Sequence, residues 1–193
     1  LPLRRRLRLY ESMRLAPPLA AVVVVLSACA PAEPTPPAAH VGWAHYGGDA
    51  GGQRFSAAAQ ITPANVRRLK TAWTYSTGEL AARGEAVEAA AFEATPILAG
   101  GRLHLCSPFN VAIALDPASG RELWRFDPKI DPKVRYPNSF NCRGVTYWRD
   151  PAAPPGEPCA ERIFMATNDR RMFALDAATG KACAGFGEAG VVD

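Results

Sequence analysis

The sequence has only three histidines, His40, His45 and His104, and no Cys-x-x-Cys pair, which leaves no ligand set of ordinary zinc spacing. It has no nucleophile elbow and no Asp-rich calcium loop, so neither hydrolase nor EF-hand chemistry is indicated. The glycines at 47–52 fit neither a P-loop nor a dinucleotide fingerprint, and no strand-to-helix context surrounds them. The apolar run Leu15–Leu26 is too short for an ordinary membrane-spanning helix, which needs about 20 residues.

What that run does fit is an export signal. Residue 1 is Leu, and the expected start is Met13. From there a basic Arg14 precedes the apolar core, which ends in the small residues Leu26-Ser27-Ala28-Cys29. This ending resembles the bacterial lipobox, in which the cysteine becomes the lipidated first residue of the mature protein. Residues 1–28 are therefore read as upstream residues and a lipoprotein signal, with Cys29 as the lipidation site. Residues 29–42, rich in Pro and Ala, are read as a tether, and folded sequence is expected over 43–193. The net charge of +4 belongs to the signal: residues 1–28 carry five of the 22 basic residues and one of the 18 acidic ones. The remainder is balanced, and no nucleic-acid partner is implied.

The folded part is organised around a repeat. Arg102–Phe126 recurs sixty residues later as Arg162–Phe186, and Ala114-Leu115-Asp116 answers Ala174-Leu175-Asp176. Ser119-Gly120-Arg121 likewise answers Thr179-Gly180-Lys181. Each copy reads as strand, turn, strand, tight turn, strand, the signature of a propeller or another repeat array. Asp116 can accept backbone N–H groups in its turn, Gly120 and Gly180 can take positive φ, and Trp124 is suited to wedge between adjacent sheets. These are structural roles. Trp73 is expected to head a strand as Trp124 does, and Thr62 to cap a helical turn opened by Pro63. Glu79–Ala91 reads as a surface loop or short helix.

Two residues stand out chemically. Glu93 directly precedes the strand Ile97-Leu98, either as a rim residue or ion-pair partner or as a functional carboxylate. A Pro- and charge-rich insert, 127–158, holds Cys142-Arg143-Gly144 at the head of another strand. An Arg beside a Gly suits a carboxylate ligand held bidentately; equally, it can pair with a surface acid. The cysteines other than Cys29 are Cys106, Cys142, Cys159 and Cys183, which allow three pairings. The pairing expected is Cys142–Cys159, clipping the base of the insert.

The pattern Ala114-x-Asp116-x-x-Ser119-Gly120-x-x-x-Trp124 resembles the tryptophan-docking motif of pyrroloquinoline-quinone (PQQ) dehydrogenases. Further segments stand in the order of the membrane-associated glucose/quinate group: Tyr46-Gly47-Gly48-Asp49, Glu93-x-Thr95-Pro96, Cys142-Arg143-Gly144-Val145 and Cys183…Phe186-Gly187. The resemblance implies an all-β fold, two to three four-stranded blades of an eight-bladed quinoprotein propeller. It implies PQQ and Ca²⁺ as cofactors, with Arg143 and Glu93 contacting PQQ. It also implies a sugar, polyol or cyclic alcohol as substrate and a membrane quinone as electron acceptor. No metal ligand or catalytic residue is expected in this span: both lie in later blades, so the span alone should be inactive. Lipid at Cys29 would place the protein on the periplasmic side of a bacterial membrane.

Trp148 stands where sugar-oxidising relatives place a substrate-site histidine, and Ala184 stands in place of a third docking tryptophan. The same repeats occur in a non-catalytic outer-membrane assembly scaffold, also a lipoprotein. Glu93, the Cys142-Arg143-Gly144 segment and the long insert favour the dehydrogenase.

Overall fold

The structure, a computed structural model, describes residues 42–193; the expected signal, the expected lipidation site Cys29 and the expected tether through residue 41 lie outside the described residues. The strands run β1 (Ala90–Phe92), β2 (Ile97–Ala99), β3 (Arg102–Cys106), β4 (Ala112–Leu115) and β5 (Glu122–Phe126). They continue with β6 (Phe140–Cys142), β7 (Thr146–Arg149), β8 (Glu161–Ala166), β9 (Met172–Asp176) and β10 (Val191–Val192). Two four-stranded antiparallel sheets result, β2-β3-β4-β5 and β7-β8-β9-β10. The short β1 and β6 pair in parallel.

The repeat is a repeat of register. Leu103 faces Leu115 and Leu105 faces Ile113 in the first sheet; Ile163 faces Leu175 and Met165 faces Phe173 in the second. β4 is buried along its whole length because both its faces are covered. Ala112 and Ala114 pack toward Ile163, Met165 and Leu175 of the second sheet. Ile113 and Leu115 alternate to the opposite face, against Trp73 and Tyr75. The small residues of β4 thus face the neighbouring sheet, and its large ones fill the other layer.

Two tryptophans join these layers in the same way. Trp124 lies over Gly180, where an added Cβ would fall 2.6 Å from the indole, and its Nε1 donates to the Ala177 carbonyl at 3.1 Å. Trp73 lies over Gly120 and donates to the Pro117 carbonyl at 3.1 Å. Both glycines have φ near +70°, closing turns that Asp116 and Asp176 organise identically. Asp116 Oδ1 accepts from the Ser119 N–H at 2.8 Å, as Asp176 Oδ1 does from Thr179. Hydrogen bonds from Ser119 hold the Asp116 carboxyl below its usual range.

Several expectations need correction. Trp73 does not head a strand: it is docked, but residues 71–78 have no ladder partner among the described residues. A helical turn does open at Thr62-Pro63, the Asn65 and Val66 N–H groups donating to the Thr62 carbonyl at 3.0 and 2.9 Å, but the residue at the cap position of Val66–Arg68 is Asn65, whose Oδ1 accepts from the Thr62 N–H at 2.7 Å. The 127–158 insert is not all insertion, since β7 is the first strand of the second sheet. The disulfides are Cys106–Cys142 and Cys159–Cys183, not Cys142–Cys159. Strand register explains this. Arg149 pairs with Glu161 and Thr146 with Phe164, so Cys159 sits at the turn end of the β7–β8 hairpin and Cys142 beyond its other end. On the order of 20–30 Å of extended chain separates them. Closing loops of 36 and 24 residues, the two bridges each contribute about 3–4 kcal/mol in the chain-entropy account.

The docking geometry makes a quantitative prediction. Gly180→Ala should cost about 2–4 kcal/mol in denaturant unfolding, from backbone strain plus overlap with Trp124. Gly156 shares the positive φ but has open space around it, and Gly156→Ala should cost only about 1 kcal/mol. Equal costs would contradict the docking.

His104 supplies a pH prediction. It is fully buried against Trp124, ring centroids 5.7 Å apart, and neither ring nitrogen has a hydrogen-bond partner. Burial pushes its pKa down from 6.5 to about 4, and the nearby Ala99 backbone offsets only part of this. Folded His104 stays neutral down to about pH 4, whereas the unfolded chain takes up this proton below 6.5. Its contribution is full above 6.5 and is lost as the pH falls toward 4. His104→Leu should therefore lose less unfolding free energy than the parent between about pH 7 and about pH 4.5. Equal losses in a urea titration would contradict this.

Candidate functional site

β1 and β6 are each three residues long, and their parallel register sets Phe92 beside Cys142. The next residue in each chain is therefore delivered to its neighbour: Glu93 and Arg143 emerge side by side. Arg143 Nη2 lies 3.5 Å from Glu93 Oε2, and the Thr95 N–H donates to the Arg143 carbonyl at 3.0 Å. The two chains then part, one into β2 of the first sheet and the other into β7 of the second. Glu93 and Arg143 thus stand at matching places, each leading into the first strand of its sheet.

The pair is open. The Arg143 side chain is 82% exposed and that of Glu93 43%. Arg143 and Gly144 line a groove of about 1060 Å³, as do Lys129, Arg135 and Arg170; Asp131 and Asp169 are its carboxylates. Burial alone would raise the Asp169 carboxyl, but hydrogen bonds from Arg171 and Thr167 outweigh it and hold the group below its ordinary value. Asp169 is therefore an ion committed to Arg171, at 2.6 Å, rather than to Arg143. Of these four cations, Lys129 is paired to Asp127 at 2.9 Å and Arg143 to Glu93, while Arg135 and Arg170 have no ion-pair partner among the described residues, which leaves a modest excess of positive charge along the groove. Glu93 is not part of the groove wall.

The structure places the other residues singled out by sequence as follows. Trp73, Trp124, Gly120 and Gly180 build the docked layers described above. Trp148 is not brought to the groove: it lies on β7, 40% exposed, with the Arg162 guanidinium 5.1 Å above its ring. Cys142 lines the groove, whereas Cys159 lines a separate groove of about 630 Å³ that Ala184 also borders.

Two residues escaped the sequence reading. Asn110 is buried at the β3–β4 turn with φ +59°; its Oδ1 accepts from the Asn168 N–H at 2.8 Å and its Nδ2 donates to the Asn141 carbonyl at 3.2 Å. It ties both sheets to the segment carrying Arg143. The repeat held its signal, because Asn110 and Arg170 occupy equivalent positive-φ turn positions. Glu79, assigned to a surface loop or short helix, begins the helix α1 (Glu79–Ala82) yet is buried, accepting from Ser107 Oγ at 2.9 Å. Burial pushes its carboxyl pKa up, opposed by Ser107 and Arg83. An isolated Glu beside a glycine gives no sequence sign of this.

Residues 43–193 match the family model described as PQQ, glucose/ethanol/alcohol dehydrogenase, β-propeller domain. The glycerol dehydrogenase large subunit of Gluconobacter oxydans (strain 621H) is 43% identical over 152 residues, 78% of this chain and 20% of that protein. The quinoprotein glucose dehydrogenase of Escherichia coli (strain K12) is 38% identical over 168 residues, 84% of this chain and 21% of the relative. Among solved structures, the quinohemoprotein alcohol dehydrogenase of Comamonas testosteroni superposes with a TM-score of 0.56 at 30% identity, covering 73% of this chain and 18% of that one. The chain spans about a fifth of the length of the curated relatives it matches. Its docked repeat is thus a stretch of propeller, and the chain belongs to the PQQ-dependent dehydrogenase family.

Proposed function

We propose that this chain forms part of an exported PQQ-dependent dehydrogenase that oxidises a sugar, polyol or cyclic alcohol and passes the electrons to a membrane quinone. The observation that carries the reading is Arg143: its carbonyl accepts from the Thr95 N–H at 3.0 Å while its side chain stands 82% exposed at the wall of the groove. Stability does not explain such an arrangement. An open ion pair at 3.5 Å contributes about 0–1 kcal/mol, so the pair is better understood as prepared for a ligand.

A polycarboxylate is the ligand proposed for this groove, whose lining carries Arg135, Arg143 and Arg170. Arg143 would hold a carboxylate of PQQ through paired N–H donors, and Glu93 would keep the guanidinium oriented toward it. PQQ supplies the quinone that accepts the electrons of alcohol oxidation, with Ca²⁺ as its Lewis acid. Among the described residues no cluster of three or more His, Cys, Asp or Glu is placed to hold a metal ion. Calcium ligands and the catalytic carboxylate are proposed for the portions of the relatives that this chain does not span. The relative named for glycerol supports a polyol substrate. Two disulfides support an oxidising compartment, as the proposed lipid anchor at Cys29 on the periplasmic side requires.

Reconstitution tests the proposal. Dye reduction by the full-length protein with glycerol, glucose or quinate should require both PQQ and Ca²⁺. Absence of PQQ binding and of turnover would favour the scaffold reading. Arg143→Ala should raise the PQQ Kd about 10- to 100-fold, roughly 1.4–2.7 kcal/mol; unchanged affinity would remove Arg143 from the cofactor site. Glu93→Gln should weaken PQQ binding severalfold while changing unfolding free energy by less than about 1 kcal/mol. A larger stability loss would make the pair a structural one.

A further inference from the structure

We propose that the Cys106–Cys142 disulfide is the positioning device of the Arg143 site, distinct in role from Cys159–Cys183, which only staples the second sheet. The inference rests on the cofactor reading above. Its starting point is how little else holds Arg143. The residue extends from β6, a strand of three residues whose ladder partner, β1, is equally short and exposes Ala91 and Phe92. A two-stranded ribbon of this size is marginal in water, and apart from the half-cystine its buried anchor is Phe140, packed on Phe109 and Tyr136 at the end of β6 away from Arg143. Beyond that ladder, the described backbone contact is the Thr95 N–H on the Arg143 carbonyl.

The disulfide changes this. Cys142 directly precedes Arg143 and lines the same groove, and its sulfur is bonded to Cys106. Cys106 is fully buried at the end of β3, an interior strand paired on one side with β2 and on the other with β4. The bridge thus moors a weak ribbon to a strand that cannot shift without breaking the first sheet. Both half-cystines also lie in the apolar layer between the sheets, beside Trp124 and Ile163. Asn110, four residues after Cys106, reinforces the mooring by donating to the carbonyl of Asn141, the neighbour of Cys142. A guanidinium that must meet a carboxylate bidentately loses much of its affinity when its backbone wanders. By contrast, Cys159 sits at the opposite end of the β7–β8 hairpin, outside the groove wall.

The test compares two double variants of the full-length protein, Cys106→Ala/Cys142→Ala and Cys159→Ala/Cys183→Ala. Both should lower Tm, so Tm does not distinguish the roles. The first readout needs no ligand: trypsin cleavage after Arg143 should become at least about tenfold faster without Cys106–Cys142 and less than about twofold faster without Cys159–Cys183. The second is the PQQ Kd from fluorescence titration with Ca²⁺ present. Removing Cys106–Cys142 should raise it about tenfold, and the variant that also carries Arg143→Ala should bind within about twofold of Arg143→Ala alone.

Unchanged cleavage after Arg143, equal acceleration by both variants, or full additivity of the Kd effects would overturn the proposal. If Arg143→Ala alone leaves the Kd unchanged, the cofactor reading fails instead, and the cleavage rates still decide whether the bridge holds Arg143.

Discussion

The contact on which the rest depends is an indole lying flat on a glycine. Trp124 can cover Gly180 only because that position has no side chain and the turn accepts positive φ. Once seated, it spends its one donor on the Ala177 carbonyl and turns its apolar ring toward the layer between the sheets. Burying such a ring contributes on the order of 2–3 kcal/mol, and the hydrogen bond fixes which edge points where. The same contact, made by Trp73 on Gly120, sets the layer on the other face of the first sheet. With both faces of β4 covered, the sheets stack as successive layers, the relation that adjacent propeller blades require.

From that stacking the site follows. Two consecutive sheets begin at neighbouring places, and the parallel β1–β6 ladder puts a carboxylate and a guanidinium at adjacent exits. The charges remain in water, so their mutual attraction is weak and their availability high. Stability comes from the apolar layers and the two disulfides, while Arg135 and Arg170 stand on the groove without an ion-pair partner among the described residues. Division of labour of this kind lets a repeat scaffold carry a binding site without straining its core.

The periodic part of this architecture was legible in the sequence and the long-range part was not. Asp116, Gly120 and Trp124 announce their contacts because the turn chemistry is local and recurs sixty residues on. Glu93 and Arg143 could be singled out for residue type and position, but their meeting could not be read: it depends on two three-residue strands fifty residues apart, a pairing without local signal. The disulfide pairing failed for a related reason. Cys142 and Cys159 are close in sequence, yet an antiparallel hairpin carries them to opposite ends. Trp73 kept its docking role but not its strand, since a ladder needs a partner and docking needs only a glycine. The burial of Glu79 arises from tertiary packing alone, whereas Asn110 left one trace in the repeat, the turn position it shares with Arg170.

The most direct measurement is a crystal structure of the full-length protein with PQQ and Ca²⁺ bound. The account predicts the Arg143 guanidinium within hydrogen-bonding distance of a PQQ carboxylate, with Glu93 at its side and Cys142 still bonded to Cys106. PQQ seated elsewhere, with Arg143 turned to solvent, would contradict it.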